Sequence, residues 1–177
     1  MDVGFVILLP DRNVAALRNT LWSIESYGYK RESVCAVGND VQDEELKNLK
    51  QFCQTFKGDD TITSLINTGM KNLKHEWGFI MFGGSRIPQY IEKKFMCFCQ
   101  KQSDILFPVV DRKMNFVEGS FNGVMINTKF FKEVGDFPTM DLQKQGYNDF
   151  EMAKMFWALD AIDRGATFKA MVGMRII

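Results

Sequence analysis

From Val3 to Leu9 the chain offers seven residues without one polar side chain, and Pro10 follows at once. A strand that is apolar on both faces has to be covered on both, which is the situation of a parallel sheet between helices; a sheet with one wet face alternates apolar and polar residues. Proline ends the run because it has no N–H to give to the ladder. Asp2 precedes the run and Pro10-Asp11-Arg12 follows it, so it is too short and wrongly flanked for a signal peptide or a membrane span. The expectation is a cytoplasmic protein.

Short apolar runs and helical stripes then alternate along the whole chain, with no repeat, low-complexity tract or long linker. That alternation is the pattern of β-α-β units. Asn13 can cap a first helix whose Val14, Leu17, Leu21 and Ile24 share one face and which Gly28 stops. Ser33 to Val37 reads as a second strand. Asp43 with Glu44-Glu45 then starts a helix carrying Leu46, Leu49, Cys53 and Phe56. Thr61 to Ile66 and Gly78 to Phe82 read as strands around a short helix near Thr68 to Lys74, and a helix follows from about Gln89 to Gln100. Ile105 to Val110 and Phe121 to Ile126 read as strands separated by a polar turn around Asp111 to Glu118. A last helix begins at Asn148, where Asn148 and Glu151 have capping-box spacing. Its expected buried face is Met152, Met155, Leu159 and Ile162, before Gly165 and a final strand Ala166 to Met171.

At 177 residues the chain suits one domain, residues 1–177, able to bury roughly 70% of the surface of its unfolded form. Its 22 basic and 22 acidic residues cancel without a block of either sign, which leaves no electrostatic footprint for a nucleic-acid backbone. Cys35, Cys53, Cys97 and Cys99 form no Cys-x-x-Cys pair, and the single histidine, His75, cannot complete an ordinary zinc set. Reduced, mostly buried thiols are expected, and His75 is expected to be exposed. No serine sits in a Gly-x-Ser-x-Gly elbow, which argues against a hydrolase.

Several segments resemble, in order, the family 2 glycosyltransferases, nucleotide-sugar enzymes of the glycosyltransferase A fold. Val6-Ile-Leu-Leu-Pro-Asp-Arg-Asn13 with Leu17, Leu21 and Ser23-Ile24 is similar to the family's first strand, nucleotide loop and first helix. Gly38-Asn39-Asp40-Val41-Gln42-Asp43 is similar to its Asp-rich loop, with glycine where the first Asp stands. Asn67-Thr-Gly69 and Glu76-Trp77-Gly78 resemble the segment entering the metal-site strand. Asn122-Gly-Val-Met-Ile-Asn-Thr-Lys-Phe-Phe-Lys-Glu-Val-Gly-Asp-Phe-Pro138 is the most specific match, where the family has a sugar-lining turn, a strand and a short helix. Asn148-Asp149 falls where the family has Glu-Asp before a helix.

The resemblance implies a three-layer α/β/α fold with a mostly parallel sheet, of the nucleotide-diphospho-sugar transferase type. It implies a nucleotide sugar as donor, an acceptor hydroxyl of unknown identity, and inverting transfer with Asp149 as base. Pro10, Asp11, Arg12, Asn39 and Asp40 would then contact the nucleoside, and Gly83, Gly84, Ser85, Arg86, Asn122 and Gly123 the diphosphate or sugar. The chemistry of the family normally needs a divalent cation on an Asp-x-Asp motif to neutralise the leaving diphosphate. Here Phe79-Ile-Met-Phe-Gly-Gly-Ser-Arg86 stands at that strand end, and Gly83, Gly84 and Ser85 offer no carboxylate. No conventionally bound metal is therefore expected. Arg86 becomes the bidentate substitute, and the glycine turn can offer amide donors to a phosphate. Two alternatives stand beside this. The missing ligands equally suit a catalytically degenerate binding or assembly module. A nucleotidyltransferase fits less well, because Leu9-Pro10-Asp11-Arg12-Asn13 lacks that family's glycine-rich loop.

Overall fold

The structure is a computed structural model; residues 2–10, 14–39, 53–59, 61–87, 104–109, 116, 120–139 and 149–172 are described. In chain order the elements are β1 (Val3–Leu9), α1 (Val14–Ser26), a 3-10 turn (Arg31–Ser33), β2 (Val34–Asn39), β3 (Gln54–Gly58), α2 (Ile62–Asn72), β4 (Trp77–Phe82), β5 (Ile105–Val109), β6 (Met125–Asn127), α3 (Thr128–Val134), α4 (Asp149–Asp163) and β7 (Phe168–Val172). They build one seven-stranded sheet in the order β3-β2-β1-β4-β6-β5-β7. β1 pairs in parallel with β2 and β4, β2 with β3, and β5 with β7. Of the described strands, β6 alone runs against its neighbours β4 and β5. The expected mostly parallel sheet is present.

All seven residues of β1 are buried, and alternation divides them between two cores. Val3, Phe5, Ile7 and Leu9 face α1, where they meet Leu17, Leu21 and Ile24. Val6 and Leu8 face the other layer and meet Leu65, Ile66 and Met70 of α2, with Phe131, Trp157, Ala158 and Ala161 of α3 and α4 in the same cluster. That gives the three layers. In the second core Trp157 stacks on Phe137 with centroids 4.4 Å apart, and its Nε1–H donates to the Gly135 carbonyl at 2.9 Å. A large aromatic is thus buried with its one polar atom satisfied.

Several expectations hold. Leu17, Leu21 and Ile24 form the buried face of α1 as expected, Gly28 ends that helix with a φ of +84°, and β4 and β5 lie where their apolar runs predict. Four expectations are corrected. The segment 61–66 is helical: Thr61 caps α2 by accepting from the Ser64 N–H, and Leu65, Ile66, Gly69 and Met70 are its buried stripe. The β-branched residues 61–63 favour a strand only weakly, and burial of that stripe overrides them. The strand lies earlier, at β3, and takes up Phe56, which the sequence placed in a helix. The buried face of α4 is Ala153, Lys154, Trp157, Ala158 and Ala161, while Leu159 is 50% and Ile162 55% exposed. Small alanines let the helix pack against α2 and α3 and seat Trp157, which outweighs the longer chains of Leu159 and Ile162. Phe121 to Val124 form a turn, leaving only Met125–Asn127 in β6. The helices expected over 43–52 and 89–100, the turn at 111–118 except Phe116, and the caps Asn13 and Asn148 lie outside the described residues.

Cys35 and Cys53 are buried free thiols, as expected. Burial pushes the Cys35 thiol up to about 12 and the Cys53 thiol up to about 11. His75 is partly covered and bonds the Asp2 carboxylate at the opposite, N-terminal edge of the sheet. None of the described helices is long and apolar enough to cross a membrane.

Candidate functional site

In an open parallel sheet the ligand crevice lies beyond the C-terminal ends of the strands, where the strand order reverses. Here β1 has β2 on one side and β4 on the other, so the crevice belongs at the ends of those three strands. The registers place the ends together: Leu9 opposes Gly38 and Leu8 opposes Phe82. Pro10, Asn39 and Gly83 therefore continue from one edge. Asp11, Arg12 and Asp40 lie outside the described residues.

The antiparallel direction of β6 adds Asn122 and Gly123 to that edge. Val124 accepts from the Ile80 N–H at 2.8 Å, and the Gly123 N–H donates to the Ile80 carbonyl at 2.7 Å. One residue farther the backbone ladder stops, and the Asn122 side chain continues it. Its Oδ1 accepts from the Phe82 N–H at 3.1 Å and its Nδ2 donates to Ser85 Oγ at 2.9 Å. Asn122 thus ties the turn before β6 to the loop after β4.

The start of α4, where Asp149 stands, adjoins the same region through the packing of Phe150. Asp149 is the half-buried first residue of α4, where a carboxylate complements the helix dipole. Its neighbour Phe150 stands edge-on to Phe121 at 5.2 Å, and Phe121 adjoins Asn122. The start of α4, the turn 121–123 and the loop 83–86 are consequently neighbours. Lys154 of the same helix is 2% exposed, pairs with Glu151 at 2.7 Å and lies 5.3 Å from the Phe150 ring.

The glycine turn is occupied by its own fold. The Gly83 N–H donates to Leu8 O at 2.8 Å. The Gly84 N–H is shared between Ala16 O at 3.1 Å and Thr20 Oγ1 at 2.9 Å, and the Ser85 N–H donates to Phe82 O at 3.1 Å. The expectation that these amides serve a phosphate is therefore corrected: each is spent within the protein. The glycines have structural reasons instead. A Cβ on Gly83 would lie 2.5 Å from Leu9 Cδ2, and Gly84 has a φ of +92°. Farther along, the Ile87 N–H donates to Ser23 Oγ at 2.9 Å. The loop that carries Ser85 and Arg86 is thereby fastened to α1 by two hydroxyls. Arg86 itself is exposed.

The sequence gives Thr20 no role, and Ser23 none beyond its place in the matching first helix, although a signal is there. Both are hydroxyl residues set into the apolar side of α1, next to Leu21 and Ile24, and both are nearly fully buried. Asn67, from the segment that resembles the approach to the metal-site strand, is a clamp elsewhere: its Oδ1 accepts from the Phe137 N–H and its Nδ2 donates to the Phe137 carbonyl, both at 2.9 Å. Among the described residues no group of three His, Cys, Asp or Glu side chains could hold a metal ion. A cation held by carboxylates at 83–85 does not fit these residues.

No protein-family model and no curated protein matches this sequence. Solved structures do match its fold. S. aureus TarS 1-349 in complex with UDP-GlcNAc aligns with a TM-score of 0.67 at 11% identity, over 99% of this chain and 57% of that one. The mannosyltransferase PcManGT of Pyrobaculum calidifontis, in complex with GDP-Man and Mn2+, aligns with a TM-score of 0.67 at 10% identity, over 98% and 55%. The bifunctional IspDF of Campylobacter jejuni aligns at 0.59 and 11% identity, over 98% and 50%. This chain thus spans little more than half the length of the proteins it superposes on. Its mostly parallel sheet between helices, with β6 reversed at the crevice, is the fold of the glycosyltransferase A enzymes.

Proposed function

We propose that the chain binds a nucleotide sugar at the C-terminal ends of β1, β2 and β4 and transfers the sugar, with inversion, to an acceptor hydroxyl. Pro10, Asp11, Arg12, Asn39 and Asp40 take the nucleoside. Arg86 and Ser85 take the diphosphate, and Asn122 and Gly123 line the sugar. Asp149 accepts the proton of the acceptor hydroxyl as its oxygen bonds to the anomeric carbon; the bond from that carbon to the diphosphate breaks, and the nucleoside diphosphate leaves. In place of a cation on carboxylates, the guanidinium of Arg86 offsets the charge that develops on the leaving group.

One observation carries the proposal: the start of α4 is packed, through Phe150 on Phe121, against the turn whose Asn122 bonds Ser85 at the end of β4. This packing supports a reading in which an acid and an arginine far apart in sequence act at one sheet edge. The ligands named for the superposed structures, UDP-GlcNAc and GDP-Man with Mn2+, support the class of donor. The test is titration with a panel of nucleotide sugars, with manganese and with EDTA, followed by assay of sugar release. Binding in EDTA with slow release that Asp149→Asn abolishes supports the enzyme.

A second function rests on a different observation. The amides of 83–85 are spent and no carboxylate stands among them, which suits a degenerate module that binds or assembles without turnover. Absence of nucleotide-sugar binding across the panel would favour it and contradict the transferase.

A further inference from the structure

Ser85 is 8% exposed, so its hydroxyl is nearly removed from water. The orientation of Asn122 fixes what that hydroxyl can do. The Phe82 amide can only donate, so the Asn122 atom facing it is the oxygen, and the NH2 faces Ser85. One of the two lone pairs of Ser85 Oγ is therefore filled from the protein, and its proton has no acceptor among the described residues. A buried O–H without an acceptor is costly. The loop after β4 thus carries a buried neutral donor beside the C-terminal strand ends.

We infer that Asn122 orients Ser85 to donate a hydrogen bond to an acceptor oxygen of the bound donor substrate, either a diphosphate oxygen or a sugar oxygen. This rests on the nucleotide-sugar proposal above. Asn122 is then a positioning residue, with both side-chain polar atoms engaged inside the protein, and Ser85 is the residue that touches the ligand. A carboxylate at 85 would accept where this site donates, so the pair suits an anion without an intervening cation.

The two sources of acceptor and the two roles separate in one double-mutant experiment. Wild type, Ser85→Ala, Asn122→Asp and the double variant are titrated in EDTA with UDP, GDP, UDP-GlcNAc and GDP-mannose, with thermal melting as the folding control. Asn122→Asp keeps an oxygen on the Phe82 amide but turns its second oxygen toward Ser85, which must then donate inward. Loss of a hydrogen bond to a charged acceptor predicts roughly 10- to 100-fold weaker binding for Ser85→Ala. Asn122→Asp should weaken binding similarly in wild type and add little in the Ser85→Ala background. A loss shared by the free diphosphates assigns the acceptor to the diphosphate, and a loss confined to the nucleotide sugars assigns it to the sugar. Ser85→Ala binding like wild type overturns the inference alone, as does an equal loss from Asn122→Asp in both backgrounds, which would mark simple charge repulsion. Failure of wild type to bind any of the four overturns the nucleotide-sugar proposal, and the inference with it.

Discussion

Replacing Ser23 by alanine tests how the loop after β4 is held. Ser23 and Ile87 are each 4% exposed, and the Ser23 hydroxyl accepts from the Ile87 N–H at 2.9 Å. Alanine leaves that amide buried with no acceptor, and the space of one lost oxygen is too small for a water. An orphaned buried donor costs about 1–3 kcal/mol. For a chain of this length that lowers Tm by roughly 3–10 °C. Thr20→Val should cost less, about 0.5–1 kcal/mol, because Gly84 N–H still has Ala16 O at 3.1 Å. Urea unfolding followed by tryptophan fluorescence measures both, and hydrogen exchange at Ile87 reports the local loosening. If Ser23→Ala stays within about 0.5 kcal/mol of wild type, the range of ordinary surface changes, the hydroxyl does not hold the loop. A larger loss for Thr20→Val than for Ser23→Ala would refute the same reasoning.

Three more outcomes are expected. Asn67→Asp should destabilise by at least about 2 kcal/mol in urea unfolding, because its second oxygen would face the Phe137 carbonyl that Nδ2 now satisfies; a neutral result would contradict the clamp. Cys35 and Cys53, with thiols raised to about 12 and about 11 by burial, should resist DTNB at pH 8 until urea unfolds the chain, as peptide mapping will read; rapid native labelling of either would contradict their burial. The bond from His75 holds the Asp2 carboxyl below its ordinary value of 3.8, so its small, exposed contribution is complete above that pH and is lost as pH falls through the lower folded value. The stability gap between wild type and Asp2→Asn should therefore narrow on acidification toward pH 2, and a gap independent of pH would contradict the pairing.

The parts of the fold legible in the sequence are those where one force acts alone. Unbroken apolar runs at Val3–Leu9 and Trp77–Phe82 can only be covered strands. The stripe Leu17, Leu21 and Ile24 can only be a helix face against them. Where two forces compete, sequence misleads: the β-branched start of α2 obscures the hydroxyl cap at Thr61, and the long apolar chains of α4 obscure an alanine face that packs against α2 and α3. The candidate site divides the same way. That the end of β4 lacks carboxylates is plain from Gly83-Gly84-Ser85. That these residues are fastened to α1 through Thr20 and Ser23, and that Asn122 directs the Ser85 proton, depends on which atoms meet across some forty to sixty positions of sequence. Residue types do not encode that.

The most direct measurement of the central claim is hydrogen exchange with and without a nucleotide sugar in EDTA. Added UDP-GlcNAc or GDP-mannose should slow exchange in peptides spanning 82–87 and 120–124, at the C-terminal edge of the sheet, and leave the opposite edge around Asp2, His75 and Thr128 unchanged. Protection at the Asp2–His75 edge, or no protection anywhere with either sugar nucleotide, would contradict a metal-free nucleotide-sugar crevice at the ends of β1 and β4.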